Sequence, residues 1–128
     1  MSKKEDGKEC TACSDHGDRT VSLNTTEVPK CIAYLSSNCP LNRRELGRAT
    51  WAFLHTMAAY YPEKPSTSLQ QEMNSLMTTL GRVYPCGYCA DTTSQEIKRN
   101  PPKTTSQAEF SLWMCQLHNE VNDRLGKD

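Results

Sequence analysis

The sequence shows no excess of charge of either sign: fifteen lysines and arginines face fifteen aspartates and glutamates over 128 residues. A net charge of zero leaves no electrostatic footprint for a nucleic-acid backbone or an anionic membrane surface. Long apolar runs are also missing. The longest, Trp51-Ala-Phe-Leu54 and Met57-Ala-Ala-Tyr-Tyr61, fall far short of the roughly 20 residues that cross a bilayer. No charged-then-apolar segment opens the chain as a secretory signal would. Nothing alternates as a strand does, and there is no internal repeat or low-complexity tract. Apolar residues are scarce at 36%, so part of the chain is not expected to pack. What the sequence does have is cysteine. There are seven, and an odd number excludes a closed set of intrachain disulfides unless one thiol is free or pairs outside the chain.

The length suits one small domain and leaves little room for a second. Residues 1–20 contain no valine, leucine, isoleucine, phenylalanine, tryptophan or tyrosine, and their dense charges nearly balance. Such a segment buries too little apolar area to offset the entropy of ordering it. Residues 1–38 are therefore expected to form a flexible arm bearing Cys10 and Cys13, followed by a domain over 39–128. A brief helix is conceivable around Ile32–Leu35. Asn24-Thr-Thr26 formally matches a glycosylation acceptor, a short motif common by chance.

From Pro40 onward the helical period dominates. Leu46, Ala49, Phe53, Met57 and Tyr60 recur at three- and four-residue steps and are expected to form one buried stripe, ended by Pro62 and Pro65. Thr67-x-x-Gln70 is expected to cap a second helix carrying Leu69, Met73, Leu76, Met77 and Leu80, broken by Gly81 and Pro85. A third runs from Cys86 to Arg99 and stops at Asn100-Pro-Pro102. Ser106-x-x-Glu109 opens a fourth with Phe110, Trp113, Leu117, Val121 and Leu125 on one face, and Gly126 stands where a C-terminal cap belongs. The expected fold is all-α, an antiparallel four-helix bundle with an N-terminal arm.

Two cysteine pairs share one spacing, Cys10-Thr-Ala-Cys13 and Cys86-Gly-Tyr-Cys89. At that spacing two thiols either close a small disulfide ring or grip one metal ion. The second pair opens a helix, where backbone amides and the macrodipole favour a thiolate, as an exchanging disulfide requires. A zinc site built from all four cysteines is the competing reading, although one pair lies in the arm and the other heads a helix. A thioredoxin-like fold needs a strand before the motif, where this chain offers a helix.

Trp51 and His55 project together from the first helix, and Cys115, His118 and Asn122 line one side of the fourth, with Asn119 adjacent. Polar groups of this kind beside a large aromatic suit a planar ring with attached sugar and phosphate. Either histidine alone reads more readily as a satisfied core or boundary histidine, and the pairing of both helices with the helix-initial cysteine pair shifts the balance.

Four blocks carry a resemblance. They are Cys39-Pro with Arg43-Arg-Glu-Leu-Gly-Arg48, then Thr50 to Pro62, Tyr84-Pro-Cys86-Gly-Tyr-Cys89-Ala, and Trp113 to Lys127. In order and spacing they resemble the FAD-linked sulfhydryl oxidases of the Erv/ALR type over most of residues 39–127. The resemblance implies a helical bundle holding FAD, usually as a homodimer, with no metal. It implies Cys86 and Cys89 as the redox disulfide, Cys89 nearer the flavin. Arg43, Gly47, Arg48, Trp51, His55 and Tyr60 match cofactor contacts on the first helix. Cys115, His118, Asn119, Val121, Asn122, Leu125 and Lys127 match those on the fourth, Lys127 near the pyrophosphate. Cys10 and Cys13 resemble a mobile shuttle disulfide.

The implied chemistry is a relay. Substrate thiols reduce Cys10–Cys13, that pair reduces Cys86–Cys89, and the electrons pass to flavin and then to oxygen or cytochrome c. The implied partners are thiol-bearing proteins, including an import oxidoreductase, and the implied location is the mitochondrial intermembrane space, with the cytosol as alternative. In the family the chain continues past the position of Asp128 with cysteines that pair the positions of Cys115 and Cys39. Both are expected to lack those partners here, and Cys31 matches no family role. Hence a truncated, weakly active or inactive variant acting as a dimerisation or partner-binding module stands as an alternative to the oxidase, beside the zinc module.

Overall fold

The computed structural model describes residues 41–127. Among them lie four α-helices and no strand: α1 (Arg43–Ala59), α2 (Thr67–Val83), α3 (Gly87–Arg99) and α4 (Gln107–Arg124). The chain falls into two units, Met1–Gly47 and Arg48–Asp128. The expected boundary at 38/39 lies outside the described residues, as do Cys10, Cys13, Cys31, Cys39, the Asn24 motif and the Ile32–Leu35 segment.

In the first unit the described residues open α1. Asn42 Oδ1 accepts the Glu45 backbone N–H at 2.9 Å, and the Glu45 carboxylate accepts the Asn42 N–H at 3.2 Å. This reciprocal capping box uses asparagine where serine or threonine is usual, and the sequence reading passed over it.

In the second unit all four helices contribute to one core. Leu54, Ala58, Tyr61, Met77, Ile97, Phe110, Trp113, Met114 and Leu117 are buried, with Trp51, Met57, Leu69, Met73 and Leu80 packed against them. Tyr61 and Phe110 meet with ring centroids 5.0 Å apart, and Phe110 and Trp113 lie 6.0 Å apart and nearly parallel. Two caps agree with the expected chemistry. Ser106 Oγ accepts the Glu109 N–H at 3.1 Å. Gly126, at φ 69°, ends α4 with Gly126 N–H bonded to the Asp123 carbonyl and Lys127 N–H to the Asn122 carbonyl, a Schellman closure that glycine enters without a Cβ penalty.

Four local expectations are corrected. The buried face of α1 is Leu54, Ala58 and the following Tyr61, about one residue round from the expected stripe, and Phe53 and Tyr60 are 65% and 86% exposed. The cause lies in α4: the small Ala58 lets it approach, so that Ser111 Oγ donates to the Ala58 carbonyl at 3.2 Å and Gln107 donates to the Ala59 carbonyl. Those bonds satisfy carbonyls left open at the end of α1. The cap of α2 is Ser66, whose Oγ accepts from Leu69 N–H at 3.1 Å, not Thr67. Gly81 does not break α2. It is buried inside the helix, and a Cβ there would stand 3.1 Å from Ile97 Cδ1 and 3.3 Å from Ser94 Oγ. Glycine at this point therefore lets α3 pack close. Leu125, expected on the buried face of α4, caps the helix and is exposed.

The loop after α3 is pinned by polar contacts. Tyr61 donates its hydroxyl to the Thr104 carbonyl at 2.8 Å, and Asn74 Nδ2 donates to Thr104 Oγ1 at 2.9 Å. Burial raises the Tyr61 phenol above its ordinary value, with the hydrogen bond to Thr104 opposing. None of the described helices is long and apolar enough to cross a membrane.

Candidate functional site

Pro85 cannot continue α2, and Cys86 starts α3 in extended backbone as its N-cap. That local geometry brings the pair together. Cys86 and Cys89 are joined by a disulfide with their Cα atoms 5.2 Å apart. Cys86 Sγ also accepts the Cys89 backbone N–H at 3.3 Å, so a sulfur occupies the place that a serine oxygen takes in an ordinary cap. A thiolate released there faces the free amides and positive end of the helix, which lowers a thiol pKa. Cys86 is buried, while Cys89 is half-buried and turned toward α4.

A small cavity opens beside Cys89. Its α3 wall is Tyr88, Cys89, Thr92, Thr93 and Glu96, and its α4 wall is Val121, Arg124 and Leu125. Glu96 is 4% exposed, yet it is charged and paired. Its Oε1 accepts from Arg99 Nη1 at 3.0 Å and from Arg124 Nη2. Sequence reasoning passed over Glu96 and Arg124. The available signal was spacing: Glu96 falls two turns after Cys89, on the same face of α3.

A second cluster joins α1 to α4. Trp51 and His118 stack with centroids 4.0 Å apart at an interplanar angle of 10°. His55 Nε2 and His118 Nδ1 lie 2.8 Å apart, sharing one hydrogen bond. Burial holds the His118 imidazole below its ordinary 6.5, and positive charge on His55 and Lys127 pushes the same way. A neutral His118 presents one donor and one acceptor, as a bond to a second imidazole requires.

The sequence-derived residues thus separate into those the fold assembles and those it does not. Trp51, His55 and His118 form one ring cluster, and Asn122 is half-buried one turn beyond His118. Val121 and Leu125 join Cys89 at its cavity. Lys127 follows the Schellman turn, exposed. Asn119 and Arg48 are also exposed. Cys115 is exposed and a free thiol. Tyr60 lies nine positions past Trp51, half a turn round the helix axis, and is not part of the ring cluster. Arg43 and Gly47 belong to the other unit, in the opening turns of α1.

Comparison with known proteins gives consistent matches. The Erv1 / Alr family model matches residues 48–128. The chain is 45% identical over 107 residues to the FAD-linked sulfhydryl oxidase ERV1 of Arabidopsis thaliana, covering 84% of this chain and 56% of that protein. It is 38% identical over 88 residues to the mitochondrial FAD-linked sulfhydryl oxidase ERV1 of Saccharomyces cerevisiae, covering 69% and 47%. The chain therefore spans about half the length of these curated relatives. The crystal structure of the FAD binding domain of Erv1 from S. cerevisiae superposes with a TM-score of 0.67 at 36% identity, over 70% of this chain and 85% of that one. The yeast Erv1 core gives 0.68 at 31% identity, over 88% and 86%. A disulfide heading a helix, an aromatic–histidine cluster across two helices and these matches together assign the chain to the Erv1 / Alr family.

Proposed function

We propose that this chain is a FAD-dependent thiol oxidase that makes disulfides in protein substrates. The observation that carries the reading is the Cys86–Cys89 disulfide capping α3, with Cys89 opening on a cavity whose far wall is α4. The residues present fit the cofactor by their chemistry. Trp51 and His118 offer flat ring faces, His55 and Asn122 offer hydrogen bonds, and Lys127 offers a cation for a pyrophosphate. When bound there, FAD would supply a two-electron acceptor for the reduced cysteines and an outlet to a final acceptor.

The chain's own part is exchange and positioning. A thiolate from a substrate or from the Cys10/Cys13 pair attacks one sulfur of the Cys86–Cys89 bond and displaces the other. A mixed disulfide forms, which a second thiolate resolves to leave Cys86 and Cys89 reduced. The helix N-terminus stabilises the displaced thiolate. The name of the S. cerevisiae relative supports a mitochondrial location. Within mitochondria we favour the intermembrane space, with an import oxidoreductase among the substrates and oxygen or cytochrome c as acceptor. Exposed Phe53 and Tyr60 along α1 support a homodimer. A zinc module is disfavoured because Cys86 and Cys89, two of its four ligands, are joined to each other and offer no thiolate to a metal.

The test is a visible absorption spectrum of the purified chain, before and after dithiol, with oxygen uptake. A flavin spectrum that bleaches with dithiol, accompanied by oxygen consumption lost in Cys89→Ser, is expected. A folded, colourless protein that consumes no oxygen refutes the reading. For the relay, Cys13→Ser should abolish oxidation of a protein substrate and spare that of a small dithiol; equal loss of both removes the arm pair from the pathway.

A further inference from the structure

We propose that Glu96 is a positioning residue for the redox pair: through Arg124 it locks the register of α3 on α4, and so fixes where Cys89 faces the cofactor-bearing helix. This rests on the thiol-oxidase reading above. The geometry is specific. Cys89, Thr92, Thr93 and Glu96 line one face of α3, and Val121, Arg124 and Leu125 oppose them from the last turn of α4. The guanidinium of Arg124 bonds the Glu96 carboxylate and lies 3.5 Å from the Thr92 carbonyl, so one side chain touches α3 at two successive turns. The other polar tie from α4 to the end of α3 is Trp113 Nε1–H to the Asn100 carbonyl at 2.9 Å. Cys89 sits about 10 Å up the helix from Glu96, at 1.5 Å per residue.

Stability alone does not call for an ion pair at this place. The Glu96 side chain is 5% exposed, against 68% for Arg99 and 29% for Arg124. The bond to Arg99 is largely solvent-screened, so Arg124 is the partner that answers the buried charge. Apolar residues of similar volume commonly hold such a contact as well or better, because they avoid desolvating two ions. What an apolar contact lacks is direction. A leucine slides over its neighbour, whereas a carboxylate and a guanidinium meet in one orientation. Register matters for the reaction because a displacement of about 1 Å at reacting atoms costs up to 10²-fold in rate.

The test uses the full 128-residue chain loaded with FAD and four variants: Glu96→Gln, Glu96→Met, Arg124→Met and the Glu96→Met/Arg124→Met double. The double variant leaves no orphaned charge, so it carries the test if a single one fails to fold. Four readouts are taken: steady-state oxygen uptake for kcat and KM, the rate of flavin bleaching at saturating dithiol, the long-wavelength absorbance of a thiolate lying against the flavin, and amide exchange over Cys89–Thr93. We expect the double variant to fold and bind flavin with kcat and bleaching slowed tenfold or more. KM should stay unchanged, the long-wavelength absorbance should weaken, and exchange in the first turns of α3 should quicken. Glu96→Gln, which keeps a hydrogen-bond acceptor, should fall between. A double variant with native bleaching rate, absorbance and exchange overturns the positioning role while leaving the oxidase intact. A parent chain that binds no flavin instead removes the reading beneath it.

Discussion

Gly81 offers a test of how α2 and α3 are held. It is buried within α2, where alanine gains about 1 kcal/mol of helix propensity. Against that gain, an added Cβ meets Ile97 Cδ1 at 3.1 Å and Ser94 Oγ at 3.3 Å. Ile97 is 5% exposed and enclosed by core neighbours, so its terminal methyl has little room to withdraw. Overpacking of this kind costs about 1–3 kcal/mol. Gly81→Ala should therefore destabilise by about 1 kcal/mol despite the better propensity. Ile97→Val deletes the one carbon that the new Cβ meets most closely, and alone should cost about 1 kcal/mol. Together the two changes should cost clearly less than their sum, with a coupling of about 1 kcal/mol. Urea denaturation with Cys86 and Cys89 oxidised measures all four proteins, and equal slopes license the comparison. Additivity to within about 0.3 kcal/mol refutes the close approach of the helices, as does a Gly81→Ala variant that gains the full propensity term.

Two further predictions concern caps and protons. Ser66→Ala and Ser106→Ala each remove the acceptor for one helix-initial amide and should each lower stability by about 1 kcal/mol; thermal melts will show whether Thr67→Ala, which caps nothing, is silent by comparison. His118 is held below its ordinary 6.5, so the unfolded chain takes up a proton before the folded one does. Its stabilising contribution is complete above pH 6.5 and is lost as pH falls through the lowered folded value. His118→Gln should flatten the stability profile in that acid window, and an unchanged slope would show that His118 does not set it.

The fold was legible wherever one local signal decided the outcome. Serine at position 106, proline after Asn100 and glycine at 126 each act on the backbone within a turn, and the helix ends fall as those residues require. Choosing a helix face was different. Along α1 the stripe through Phe53 and the one through Leu54 are both apolar, and periodicity ranks them equally. The decision belongs to α4, which brings Phe110 and Ser111 against Tyr61 and Ala58 and leaves Phe53 outside. Gly81 misled for a related reason. Glycine inside a helical pattern reads as a break, unless one knows that Ile97 of another helix requires the missing Cβ.

The candidate site divides in the same way. Cys86 and Cys89 were readable because their chemistry depends on a separation of three residues and a proline just before them. Trp51, His55 and His118 were each readable as candidates on their own helix, but the stack of Trp51 on His118 and the His55–His118 hydrogen bond join residues more than 60 positions apart. Glu96 was readable only as a position two turns after Cys89, not as a buried charge. A glutamate on a helix is ordinarily solvated, so spacing alone assigns it no partner. Its meaning resides in Arg124, 28 residues on, since a carboxylate is stable at 4% exposure only with a cation beside it. Periodicity records what each helix turns away from water and is blind to a charge that another helix neutralises. The residue pair that ties α3 to α4 therefore falls where pattern reading is weakest.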